Sequence, residues 1–270
     1  MNKLFIIKYN TQITDKDVID IIDINIPILR EFNAFHKFTK EQIYKNYNYS
    51  GIVSPKFTQK TGLSREQAIG MIDDNYDIIL YHPYPLELKL QNDFLHLAEL
   101  EHPGIKENMQ KLWEMLYREH LPVIKLNEGN KFCVHSNFFI ANTKFWEMYS
   151  QEIYKIVTLL QENQIDFLLE NTSYNLTKTV ETDLAFFPFV FERYLTHYLY
   201  KNKDKLRIKN ISLEPTFKPI ELFKCEKLFI NLLVLLQGRE FFYTQKIKNV
   251  TVYIYFIVRK TIFKIKRKEV

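Results

Sequence analysis

Apolar residues recur with two different spacings, and the switching between them predicts alternating strands and helices. Residues 4–9 and 49–53 are short apolar runs, and Tyr76-Asp77-Ile78-Ile79-Leu80-Tyr81 is a third. Runs of this length, bounded by polar or turn residues, read as strands. The third ends in a loop, His82-Pro83-Tyr84-Pro85. Residues 131–141 read as a strand pair or a strand entering a turn. Helical spacing starts at Asp15, where Val18, Ile19, Ile21 and Ile22 fall on one side and Thr14 is placed to cap. After Pro27 it returns over residues 29–44 through Phe32, Phe35, Phe38 and Ile43. Ser64 and Gln67 form a capping box for a helix running to Ile72. Residues 91–100 and 105–119 read as two helices separated by His102-Pro103-Gly104. Residues 143–161 follow, with Phe145, Trp146, Tyr149, Ile153, Ile156 and Leu160 on the apolar side. Residues 163–182 are polar and partly loop-like, 184–200 form an aromatic-rich helix, and 201–207 a charged turn. Such alternation predicts an α/β fold, a mixed sheet flanked by helices.

Beyond residue 214 the character changes. A boundary falls near Pro215 and Pro219, residues 226–237 read as a short apolar helix, and a basic tail ends the chain. The expected organisation is therefore a domain over 1–214 and a helical, basic extension over 215–270. The net charge of +5 is unevenly spread. From Lys246 onward there are eight basic residues against the single acid Glu269, so this segment carries +7 and the remainder −2. A nucleic-acid binder spreads its basic residues over the folded face, so nucleic acid is not an expected partner. Within the tail, the apolar aromatic run 250–258 is too short to span a bilayer. Beside Arg259, Lys260, Lys264, Lys266, Arg267 and Lys268 it suits contact with an anionic membrane surface; the plainer reading is a last core element with a solvated basic end.

Composition narrows the chemistry. With 46% apolar residues, a sizeable core is within reach. Only 6 glycines occur, and neither glycine-rich phosphate-loop pattern is present, so a nucleotide would have to be held by side chains and ordinary helix termini. Cys133 and Cys225 match no zinc spacing and form no CxxC pair, which fits a reducing cytoplasm. The short apolar run after Met1 reads as a first strand rather than as a targeting segment. His82, His96, His102 and His135 show no metal-ligand spacing and are expected on the surface or in loops. Asp73-Asp74-Asn75-Tyr76-Asp77 is the nearest approach to an acidic metal motif, at a helix-to-strand turn where solvated acids are common.

Four segments occur in a telling order: Glu31 within 29–44, then Tyr49-Ser50-Gly51-Ile52-Val53-Ser54-Pro55-Lys56, then Tyr76-Asp77-Ile78-Ile79-Leu80. Last comes His135-Ser136-Asn137-Phe138-Phe139-Ile140-Ala141, ahead of Phe191-Glu192-Arg193-Tyr194-Leu195. In order and spacing, over residues 29–200, this resembles a family of bacterial capsule and lipopolysaccharide glycosyltransferase-like domains. That family has an A-type nucleotide-sugar fold with a Glu-bearing helix, a "GL-x-HYRR"-like strand end, a "YDIIL" strand, a "CNMFIM" strand and an "ERL" helix. Glu31, Gly51, Asn137, Phe138, Glu192 and Arg193 match it. Lys56 stands where the family has Arg, and Ser54 and Pro55 replace its His and Tyr.

The resemblance implies a glycosyltransferase A-like fold and a hexosyltransferase-like activity, moving a sugar from a nucleotide-sugar donor to a surface polysaccharide or lipid-linked glycan. Peripheral attachment to the inner face of a bacterial membrane would suit such an acceptor. A transfer of this kind needs a group to take the acceptor hydroxyl's proton, and Asp183, Glu192 and Glu31 are the candidates. The residues themselves point to Ser54, Lys56 and Lys60 past a buried strand, where open α/β sheets bind ligands and where cations would stabilise a departing diphosphate; otherwise the lysines are simply solvated. Asn137 is expected to follow a strand and bind a sugar hydroxyl, or else to satisfy local backbone groups. Glu192 and Arg193, in an aromatic helix, suggest an ion pair, structural or functional. No residue is assigned to a metal; Mn or Mg is conceivable without a clear Asp-x-Asp. The alternative is a non-catalytic, membrane-associated component of a polysaccharide-assembly complex.

Overall fold

A computed structural model of the 270-residue chain describes residues 1–213, apart from 14, 23–25, 27, 84–93, 125–130, 135 and 173–183. Several expectations fall outside the described residues: the Thr14 cap, the start of the helix predicted from 91, His135, Asp183, Cys225, the boundary at 215–219, the helix over 226–237 and the basic tail.

The main element is a six-stranded mixed sheet in the order β2-β1-β3-β5-β4-β8. Its strands are β1 (Asn2–Lys8), β2 (Val18–Asp20), β3 (Tyr49–Val53), β4 (Ile78–His82), β5 (Phe139–Asn142) and β8 (Ile208–Ser212). A separate antiparallel pair, β6 (Asn171–Thr172) and β7 (Leu184–Ala185), leads into the last described helix. β1 pairs in parallel with β2 and β3, and β4 in parallel with β8. Only β5 runs against its neighbours β3 and β4. The amino end of β5 therefore lies at the carboxyl ends of β3 and β4.

Strand alternation sorts side chains into two layers. Phe5, Ile52, Ile78, Leu80, Phe139 and Ala141 face the larger core, packed by α1 (Phe32–Lys40), α5 (Ile105–Tyr117), α6 (Thr143–Gln161) and α7 (Phe186–Lys201). Leu4, Val53, Ile79, Tyr81, Phe138 and Ile140 face the smaller one, closed by α2 (Phe57–Thr61) and α3 (Arg65–Gly70). The remaining helix, α4 (His96–Glu101), precedes α5. In the helical layer, Tyr117 and Tyr194 donate to Glu152 Oε2 at 2.6 and 2.8 Å, tying α5, α7 and α6 together around a buried carboxylate.

The helix expected from Asp15 is instead strand β2. Ile19 is buried against the larger core while Val18 and Asp20 are only partly covered, which is strand alternation. Arg65 reinforces this edge by donating to Asp15 Oδ2 at 2.6 Å and to the carbonyls of Leu4 and Asp17. The helix expected over 29–44 is shorter: it starts after Arg30 in a left-handed conformation and gives way at Gln42, also left-handed, to a 3-10 turn, Ile43–Asn46. α3 carries the expected capping box, with Ser64 Oγ accepting from the Gln67 N–H and Gln67 Oε1 from the Ser64 N–H. Among the described residues, no helix is long and apolar enough to cross a membrane.

Candidate functional site

A cluster of polar side chains forms where the amino end of β5 meets the carboxyl ends of β3 and β4. Gly51 on β3 permits the approach. A Cβ there would lie 2.3 Å from the Phe139 carbonyl oxygen and 2.7 Å from Leu4 Cδ1, so no other residue fits without moving backbone. Two consecutive left-handed residues, Ser136 (φ 57°) and Asn137 (φ 50°), then turn the chain into β5. For non-glycine residues this conformation costs roughly 1 kcal/mol or more each, asparagine being the most tolerant. Asn137 thus precedes the strand it was expected to follow.

Each neighbouring element contributes one group to this turn. From α2, Lys60 Nζ donates to Ser136 Oγ at 2.8 Å and lies 5.6 Å from the centre of the Phe138 ring. Phe57, also on α2, packs edge-on against Phe138 at 5.2 Å and fixes where that short helix sits. From α7, Glu192 Oε1 accepts the Ser136 backbone N–H at 2.7 Å. Glu31 stands at the N-cap position of α1 rather than within the helix, where the nearby Asn137 amide favours its charged form. Asn137 is 2% exposed, and among the described residues its Oδ1 has no hydrogen-bond donor.

The electrostatics of Glu31 follow from this enclosure. The residue keeps part of its surface open, but its carboxyl is held inside the cluster. Burial, and next the like charge of Glu192, push the carboxyl up to about 7; Lys60, Arg30 and the Asn137 amide oppose the rise without cancelling it. Arg193, 8% exposed, donates to the Phe189 carbonyl at 3.1 Å and stands 3.8 Å from Glu192 Oε2, an ion pair looser than a hydrogen bond. The His102 ring stacks on Phe189 with centroids 3.7 Å apart. Burial, followed by the Arg193 charge, pulls the His102 pKa down to about 3 against the opposing influence of Glu192, so its imidazole is neutral at physiological pH.

Of the expected site residues, Glu31, Lys60, Asn137, Glu192 and Arg193 are brought together. Ser54 is buried at the end of β3, where its carbonyl accepts the Phe57 N–H at 2.9 Å and closes the first turn of α2. Lys56 is exposed at the N-cap position of α2. Neither takes part in the contacts of the cluster. Asp183 lies outside the described residues. His82, His96 and His102, expected on the surface or in loops, are buried at 1%, 7% and 1% exposure, and His102 lies in the turn after α4. Ser136 and His102 were missed as site residues. The Ser-Asn pair was the available signal, since asparagine tolerates left-handed backbone, but nothing local marks the serine.

The acidic run 73–77 lies at the opposite, amino end of β4. Asp77 is buried and accepts the Arg207 N–H at 2.8 Å, Asn142 Nδ2 at 3.0 Å and Lys144 Nζ at 3.1 Å. Asp73 pairs with Lys209 at 3.2 Å. These carboxylates serve the junction of β4, β5 and β8. Among the described residues, no group of three or more His, Cys, Asp and Glu side chains is placed to hold a metal. Cys133 is buried and free, and burial pushes its thiol up.

Fold and cluster together define a class: an α/β protein with two carboxyls, an amide and a lysine gathered at the carboxyl ends of a mainly parallel sheet. No family model, no curated protein and no solved structure matches the chain.

Proposed function

We propose that the chain is a glycosyltransferase of A-like fold, moving a sugar from a nucleotide-sugar donor to a surface polysaccharide or lipid-linked glycan. The observation carrying this reading is the convergence of Glu31, Lys60, Asn137 and Glu192 on the Ser136 turn, at the sheet end where α/β folds hold ligands. Glu31, titrating near neutrality, is suited to take the acceptor hydroxyl's proton. As that oxygen bonds to the anomeric carbon, the bond to the donor's phosphate oxygen breaks and the nucleotide leaves with its charge offset by Lys60. Asn137 and Glu192 supply acceptors for sugar hydroxyls. The basic residues after Lys246 would hold the protein at the inner face of a bacterial membrane, close to a lipid-linked acceptor.

Thermal unfolding in the presence of UDP-, GDP-, CMP- and TDP-sugars tests the reading. One nucleotide class should stabilise saturably, by about 2.7 kcal/mol at a hundredfold excess over Kd. Lys60→Met and Asn137→Leu should each weaken that response. No stabilisation by any donor would overturn the transferase reading in favour of a non-catalytic assembly component.

A further inference from the structure

Ser136 holds together groups from two separate helices, α2 and α7. Its hydroxyl oxygen accepts from Lys60 Nζ at 2.8 Å, and its N–H donates to Glu192 Oε1 at 2.7 Å. The left-handed backbone at φ 57° is maintained by a residue for which that conformation is unfavourable, where glycine would adopt it freely. A glycine would keep the N–H bond to Glu192, so what the serine adds is the hydroxyl. Lysine ends a flexible four-carbon stem, and a partly exposed ammonium on a five-residue helix otherwise samples solvent. The strength of its field at a neighbouring carboxyl falls with distance and with hydration.

We propose that Ser136 is a positioning residue of this site: its hydroxyl pins the Lys60 ammonium and its N–H pins Glu192, so that a cation and a carboxylate from two helices are held at one turn. Its part in sugar transfer rests on the transferase reading, whereas the positioning itself does not. Among the described residues, the charges that act on the Glu31 carboxyl are Glu192 from α7, Lys60 from α2 and Arg30 from the segment before α1, with the Asn137 amide from the turn. Beyond Glu192 stand Arg193 and the neutral His102.

The test is a carbon-13 carboxyl titration of Glu31 in the full chain, with its signal assigned through Glu31→Gln. The variants are Ser136→Ala, Ser136→Gly and Lys60→Met. Lys60→Met removes the cation and should raise the Glu31 midpoint. Ser136→Ala and Ser136→Gly should move it in the same direction, by about 0.5 pH or more. Ser136→Gly relieves the backbone and keeps the N–H donor, so it guards against a variant that fails to fold. An unshifted midpoint in Ser136→Gly, or in Lys60→Met, would overturn the proposal. No nucleotide sugar enters the titration, so a chain that shows the shift yet binds no donor keeps the positioning and loses the transferase reading.

Discussion

Glu31 and Asp77 are carboxyls whose surroundings act in opposite senses. Glu31 is pushed from the ordinary 4.5 up to about 7, chiefly by burial and then by Glu192. The folded protein thus binds a proton more tightly than the unfolded chain between those values, and this group makes stability fall as pH rises from about 4.5 to about 7, then level off. Burial also works to raise Asp77, but the Arg207 N–H, Asn142 and Lys144 outweigh it and lower the carboxyl below 3.8. Its contribution is present above that value and is lost as pH falls through the lower folded one. Glu31→Gln should therefore raise stability at pH 8 by roughly 1–3 kcal/mol while changing little at pH 5. Urea unfolding at the two pH values measures this; equal effects at both would contradict it. Lys60, Asn137 and Glu192 were legible in the sequence as polar residues placed against apolar runs, and Glu31 through the family resemblance. Ser136 was not, because its role comes from a backbone conformation and from partners on distant segments, α2 and α7.

Where an element's sequence carries its own reason to form, it was readable. Residues 49–53 are buried on both faces and read as a strand. Thr143–Gln161 has an unbroken apolar side and an Asn142 side chain capping the Phe145 N–H, and it forms as expected. β2 misled because Val18, Ile19, Ile21 and Ile22 have helical spacing, while parallel pairing with β1 and the Arg65 contacts decide the outcome. β8 was missed for the opposite reason. Ile208–Ser212 is a half-covered edge strand with polar residues, held by pairing with β4, by Lys209–Asp73 and by Asn210 donating to the Cys133 carbonyl. Gly51 illustrates how one residue controls the relation of two strands. Gly51→Ala should cost about 2–3 kcal/mol or more, since its Cβ would meet the Phe139 carbonyl, which is backbone and cannot rotate away. A loss below about 0.5 kcal/mol in chemical denaturation would show that β5 does not approach β3 this closely.

For the whole chain, charge and site suggest a division of labour, with a nearly neutral body carrying the cluster and a cationic terminus. At about 1 kcal/mol for each basic residue near anionic lipid, the eight after residue 245 would suffice for the proposed peripheral attachment. Full-length protein should float with phosphatidylserine-containing liposomes and not with purely zwitterionic ones, and a chain ending at Gln245 should float with neither; equal flotation of both forms would remove the membrane reading. Turnover bears more directly on the proposed transfer. The measurement is nucleotide release from the stabilising donor sugar in the presence of a bacterial lipid-linked glycan fraction, followed from pH 5.5 to 8.5. The wild-type rate should rise with pH and level off above about 7, as Glu31 becomes the free base, and Glu31→Gln should lose at least about a hundredfold. A Glu31→Gln chain that releases nucleotide at the wild-type rate would contradict the assignment of this cluster as the catalytic site.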